Sequence, residues 1–315
     1  MAVFTKVSDA DVGKHLAQYG LPEPDAVTGI EEGTENTNYK VMSGGTRYIL
    51  TLFEGRTAVE DLPYFLALMD HTAEQGIPAA RPIRTETGDR LTVLAGLPAA
   101  LISFLPGRPD LEPSYEDAAN AGVLLGRFHQ SSENFPLSRP NTMGLASWRD
   151  MVRTLGDNLE ALETGLTDEI TTTFKTIKER WPSELKRGTI HGDFFPDNIL
   201  LDHGEPSGLI DFYFACTDFL AYDLAIAMNA YMPEDGSVDI SKAEALFEGY
   251  QSVRPLSRHE QEAMPILLCG SALRFFLSRA VDQFDPSQSS VYTPKDPMPW
   301  LQFMRHHRRQ MKAPV

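Results

Sequence analysis

Apolar positions follow two different rhythms along the chain. In the first hundred residues they come in short strand-like runs. Val41-Met42 leads into Ser43-Gly44-Gly45-Thr46, and Arg47-Tyr48-Ile49-Leu50-Thr51-Leu52-Phe53 follows. Two such runs around a glycine pair predict a β-hairpin, because glycine accepts the positive φ of a tight turn. Glu86-Thr87-Gly88-Asp89 ahead of Arg90-Leu91-Thr92-Val93-Leu94 predicts a second turn and strand. One helix interrupts them: Leu62, Phe65, Leu66 and Met69 recur at helical spacing, and Gly76 and Pro78 stop it. Pro63 is tolerated only in a first turn, so this helix starts near Asp61 and not at the Thr57–Glu60 pair that mimics a capping box.

Beyond Leu105-Pro106-Gly107 the period becomes helical. Ser114 with Asp117 opens a helix whose apolar face is Ala118, Ala121, Leu125 and Phe128. Ser257 with Glu260 opens another, with Leu273, Phe276, Leu277, Ala280 and Phe284 along one side. Between these helices, Ile199-Leu200-Leu201 and Gly208-Leu209-Ile210 are short strands around the polar turn Asp202-His203-Gly204-Glu205. The reading is a strand-rich lobe over 1–100, a connection at 101–106 and a larger, mainly helical lobe over 107–315. The fold class is α+β.

Composition narrows the function. The chain has 315 residues, long enough for two lobes with a full core. Hydrophobic residues are 42% and charged residues 23%, a globular profile. With 28 Lys and Arg against 44 Asp and Glu, the net charge is −16, which argues against nonspecific nucleic-acid binding. Cys216 and Cys269 form no disulfide framework or metal spacing and read as buried thiols in a reducing compartment. The start of the chain shows no apolar leader. The longest apolar stretch, Leu97 to Leu105, is broken by Pro98 and Ser103 and spans about half a bilayer. A cytoplasmic protein with no membrane partner is expected.

Residues 191–198 carry the chemistry. They read His-Gly-Asp-Phe-Phe-Pro-Asp-Asn, with Asp193 two after His191 and five before Asn198, the spacing of a kinase catalytic loop. Leu209-Ile210-Asp211-Phe212 follows, an apolar strand ending in a carboxylate. The predicted hairpin starts after Asn198 and ends before Asp211, so it brings both to one end. There a neutral oxygen and a carboxylate suit Mg²⁺, a hard ion that keeps several waters. Asp193 then orients an acceptor hydroxyl toward the γ-phosphorus of ATP and takes its proton late, since a carboxylate of pKa ~3.9 is a weak base. His191 reads as scaffold. The nucleotide cradle is expected at the polar segment Gly29 to Asn38, with Gly33, Thr34, Asn36 and Asn38 near the phosphates; an ordinary polar hairpin loop is the equal alternative for this segment. Ser103 and Phe104 would lie at the adenine end.

These residues resemble the aminoglycoside phosphotransferase and choline kinase-like family, whose members have a bilobal protein-kinase-like fold. The likeness rests on His191-x-Asp193 to Asn198, Ile210-Asp211 and Tyr222-Asp223-Leu224-Ala225. It implies that Asp223 supports the C-terminal lobe. Longer strings resemble the homoserine-kinase branch nearly end to end. They include Glu32-Gly33-Thr34-Glu35-Asn36-Thr37-Asn38, Asp211-Phe212-Tyr213-Phe214-Ala215-Cys216 and Gly270-Ser271-Ala272-Leu273-Arg274-Phe275-Phe276-Leu277. That resemblance implies transfer of the γ-phosphate of MgATP to the side-chain hydroxyl of L-homoserine, in threonine biosynthesis. The substrate's ammonium calls for an acid and its carboxylate for a cation; Tyr213, Asp218, Arg274 and Arg279 are the candidates. The alternative for the two arginines is a stem covering the core and a head on a surface acid.

One position departs from the family: Thr51 stands where kinases of this fold carry a strand lysine, and Lys40 and Arg47 lack the usual spacing. Two other functions stay open. One is a same-fold kinase for another amino alcohol, an aminoglycoside, choline or a sugar. The other is a nucleotide-binding pseudokinase, which intact Asp193, Asn198 and Asp211 weigh against. The basic tail Arg305-His306-His307-Arg308-Arg309-Gln310-Met311-Lys312 reads as the solvated end of a helix, favourable with its dipole.

Overall fold

The computed structural model describes residues 5–30, 36–54, 57–233, 235–285 and 294–311. Gly33 and Thr34 lie outside the described residues. The helices in chain order are α1 Asp9–Leu16, α2 Leu62–Glu74, α3 Tyr115–Ser131, α4 Leu145–Leu155, α5 Leu159–Leu162, α6 Leu166–Arg180, α7 Leu220–Ala230, α8 Ser241–Val253, α9 Arg258–Phe284 and α10 Met298–Gln310. The strands are β1 Pro24–Gly29, β2 Thr37–Ser43, β3 Thr46–Leu52, β4 Thr92–Leu94, β5 Leu97–Ser103, β6 Arg108–Pro109, β7 Arg187–Ile190, β8 Ile199–Asp202, β9 Glu205–Leu209 and β10 Cys216–Phe219.

The chain forms two compact units that its sequence order does not respect. The first is Met1–Pro109 with Asn134–Arg139 and Ile199–Tyr213; the second is Asp110–Glu133, Pro140–Asn198 and Phe214–Val315. Residues 101–103 complete β5 inside the first unit's sheet, and the hairpin after Asn198 belongs to that unit too.

In the first unit five antiparallel strands run in the order β1-β2-β3-β5-β4. The β2–β3 turn uses Gly44 and Gly45, both at positive φ (56° and 77°). Val41, Leu50, Leu52 and Leu101 bury one face of the sheet with Val12 and Leu16 of α1. Pro63 sits in the first turn of α2, as its missing N–H requires. Buried Asp70 of α2 gathers three guanidinium groups: Arg81 Nε at 2.7 Å, Arg84 Nη2 at 2.7 Å and Arg90 Nε at 2.9 Å. Burial alone would raise its pKa, but Arg90 and Arg81 outweigh it and hold the carboxyl below the usual range. A smaller sheet, β6-β8-β9, is tied to the segment after α2 by Leu209 N–H donating to the Pro78 carbonyl at 2.6 Å.

In the second unit α3 and α8 cross in backbone contact. A Cβ on Gly122 would lie 1.9 Å from the Leu246 carbonyl oxygen, so only glycine fits there. α9 opens with the expected Ser257–Glu260 capping box. By length and composition it could cross a membrane, yet 72% of its most apolar window is buried among its neighbours, as befits a core helix. Cys216 and Cys269 are buried and form no disulfide. The basic tail differs from the sequence reading. Arg305 binds Glu163 and Glu169, each at 2.6 Å, and His307 is buried with Nε2 2.7 Å from Asn229 Oδ1. Only distant acids on the α5–α6 segment made this docking possible, and no local pattern announced them.

Candidate active site

β7 delivers the chain into the loop that carries Asp193. Gly192 turns it at φ 75°, and a Cβ there would stand 2.7 Å from the Phe214 carbonyl oxygen. The loop's amides are held from α7: His191 N–H donates to Asp223 Oδ2 at 2.7 Å and Gly192 N–H to Oδ1 at 2.8 Å. His129 Nε2, on α3, lies 3.0 Å from Asp223 Oδ2. Burial opposes charge on Asp223, but the His129 bond and the loop amide overcome it and keep the carboxyl below its ordinary range. Burial likewise lowers His129, which is therefore neutral. Its Nε2–H donates to Asp223, leaving Nδ1 to accept from the Tyr250 hydroxyl at 2.8 Å. Arg254 Nη1 donates to the Tyr250 oxygen at 3.0 Å, and Arg254 Nη2 meets Glu260 at 2.5 Å. Five side chains thus link the cap of α9 to the catalytic loop.

Asp193 itself has two neighbours of consequence. Asn198 Nδ2 donates to its carbonyl at 2.8 Å and to its Oδ2 at 3.1 Å. Arg274 Nη1 stands 3.9 Å from its Oδ1. Although 21% of the side chain reaches solvent, crowding dominates and raises the carboxyl from 3.8 to about 6, with Arg274 opposing. A carboxylate of that basicity suits acceptance of a hydroxyl proton at neutral pH.

Because Asn198 spends its amide nitrogen on Asp193, its Oδ1 is left as a free neutral oxygen. Asp211, in the first unit, follows β9 by two residues and adopts φ 61°, a left-handed conformation that aspartate tolerates better than most residues. An amide oxygen and a carboxylate are each a donor of the kind that a hard divalent cation takes.

The remaining sequence candidates separate. In the first unit Asn36 Oδ1 accepts from Glu54 N–H at 3.1 Å, and Asn38 Oδ1 accepts from the Thr51 hydroxyl at 2.7 Å. Thr51, at the lysine position, is thus buried and orients Asn38. Arg47 and Lys40 stand over the Phe104 ring at 4.1 and 5.9 Å, and the Ser103 hydroxyl accepts from Arg81 N–H at 2.8 Å. Tyr213 packs edge-on against Phe53 and Phe65. In the second unit Asp218 accepts from Asn141 Nδ2 at 2.7 Å. With Trp148, Trp181 and Arg187 it lines a cavity of about 380 Å³ whose wall does not include Asp193. Arg279 donates to the Asp296 carbonyl at 3.1 Å over the Trp300 ring. Only Arg274 of these second-unit candidates is brought to Asp193. His129, Tyr250 and Arg254 escaped sequence reasoning, since nothing local marks them; Glu260 was legible only as a helix cap.

A two-unit α+β fold with an Asp–Asn catalytic loop anchored by a buried aspartate defines a phosphotransferase of the protein-kinase-like class. Residues 26–256 match the Phosphotransferase enzyme family, and the chain belongs to that family. A homoserine kinase of Rhizobium meliloti (strain 1021) is 43% identical over 309 residues, covering 98% of this chain and 95% of that protein. One of Phenylobacterium zucineum (strain HLK1) is 41% identical, covering 98% and 96%. Among solved structures, an amicoumacin kinase in complex with AMP-PNP, Ca²⁺ and Ami is similar in fold, with a TM-score of 0.68 at 16% identity over 97% of this chain and 93% of that one.

Proposed function

We propose that this protein phosphorylates the side-chain hydroxyl of L-homoserine, converting ATP to ADP and giving O-phospho-L-homoserine. The observation that carries the acceptor is the end-to-end identity with homoserine kinases. The Asp193 loop accounts for the chemistry. As the bond from the γ-phosphorus to the ADP oxygen breaks and the bond to the homoserine oxygen forms, Asp193 takes the hydroxyl proton. In a loose transition state this transfer is late, and holding the hydroxyl in line is the larger contribution. Asn198 and Asp211 are the proposed protein ligands of a divalent ion, Mg²⁺ in this reading, which offsets phosphate charge when bound. His191 and Asp223 keep the loop in shape. The cytoplasm and threonine biosynthesis are the proposed setting.

Coupled ADP release with MgATP and a panel of L-homoserine, L-serine, choline and kanamycin tests the reading. Selective turnover of L-homoserine, with phosphate on its side-chain oxygen by ³¹P NMR, is expected. Preference for another acceptor would refute the substrate, and nucleotide binding without transfer to any acceptor would refute the enzyme.

A further inference from the structure

Arg274 is a buried cation left without a hydrogen bond where one is needed. It sits in the middle of α9, only 3% exposed, among residues that are nearly all apolar. Its Nη1 is buried and has no hydrogen-bond partner. The carboxylate of Asp193, at 3.9 Å, is too far to accept one. Arg274 Cζ lies over the Phe275 ring at 3.8 Å and over the Phe214 ring at 5.2 Å, so the guanidinium is confined between aromatic side chains. A desolvated charge with an unused donor is unfavourable unless a ligand completes it. A confined guanidinium fork is also the partner that a carboxylate matches best.

From these observations we infer that Arg274 binds the α-carboxylate of the amino-acid acceptor and makes the enzyme select carboxylated amino alcohols. The inference rests on the homoserine reading and assigns the ligand of its carboxylate. Geometry agrees. The hydroxyl oxygen and the carboxylate of homoserine are about 5 Å apart along an extended chain. Asp193 and Arg274 Nη1 are 3.9 Å apart, closer than the two ends of the acceptor, so one molecule lying alongside the pair reaches both through hydrogen bonds of about 2.8 Å splayed outward at each end. Asp193 thus receives the hydroxyl while Arg274 fixes the other end, and an acceptor without the carboxylate leaves the guanidinium unsatisfied. Sites built to pair a polar substrate group reject analogues lacking it strongly.

The test compares L-homoserine with 3-amino-1-propanol, the same molecule without its carboxylate, in wild type, Arg274→Gln and Arg274→Lys of the full chain. Wild type should prefer L-homoserine by about a hundredfold or more in kcat/KM. Arg274→Gln should lose far more on L-homoserine than on 3-amino-1-propanol, collapsing that preference. Arg274→Lys should keep part of it, through a charge without the fork. Thermal unfolding and the KM for ATP show whether each variant is folded, and Arg274→Lys serves if Arg274→Gln is not. Equal losses on both acceptors in a folded variant would overturn the assignment alone, moving Arg274 to the phosphates or to Asp193. No homoserine preference in the wild type would overturn both the assignment and the homoserine reading.

Discussion

Replacing Asp193 with asparagine keeps the side chain's shape and one oxygen for the Asn198 bond while removing its charge, which isolates what that charge costs the fold. Crowding raises this carboxyl from 3.8 to about 6 even though Arg274 pulls the other way. A group whose folded pKa is raised is a destabilising anion: its penalty is absent below the unfolded pKa of ~3.9 and complete above about 6. About two pH units correspond to roughly 3 kcal/mol, and partial solvent contact reduces this to about 1–3 kcal/mol. Asp193→Asn should therefore be catalytically inactive at pH 8 yet melt roughly 2–6 °C higher than wild type. Between pH 6 and pH 4 the difference should fade as the wild-type carboxyl takes up its proton. Thermal unfolding followed by circular dichroism at pH 8 and pH 4.5 reads both effects. A variant no more stable than wild type at pH 8, or a gain undiminished at pH 4.5, would refute the reasoning.

Three further outcomes follow from the same geometry. In free enzyme kcat/KM should fall about tenfold per pH unit below about 6, where Asp193 binds a proton, and a profile flat down to pH 5 would exclude it as the proton acceptor. Asp223→Ala leaves two loop amides and His129 without their carboxylate, so it should destabilise by about 3–5 kcal/mol in urea unfolding and abolish turnover. Gly122→Ala drives a methyl into the Leu246 carbonyl and should cost about 3 kcal/mol with α3 and α8 forced apart, whereas an unchanged melting temperature would show that the crossing yields.

What the sequence revealed was local. The Gly44–Gly45 turn, the late start of α2 before Pro63, and the capping boxes at Ser114 and Ser257 each depend on residues within a few positions. The spacing of Asp193 and Asn198 was legible for the same reason. What escaped depends on pairings across long stretches of chain: the three arginines on Asp70, the acids on Arg305, and the line from Glu260 to Asp223. Arg274 was partly visible, as a charge in an apolar helix; that it lacks a hydrogen bond at Nη1 and faces Asp193 required coordinates. The two compact units are not continuous along the chain, because a hairpin beginning at Ile199 groups with residues far upstream.

The bonds behind the catalytic loop also order events during synthesis. Asp223 lies 32 residues after His191, and Tyr250 lies 121 after His129. A nascent chain that has emerged only as far as β10 already carries Asp193, but its loop amides face water because α7 is still inside the ribosome. Glu260, the far end of the line, arrives later still. Because long-range closures form only after both partners exist, the loop acquires its working shape only once α7 and the start of α9 have emerged. Shorter nascent chains carry Asp193 without the scaffold that holds its loop.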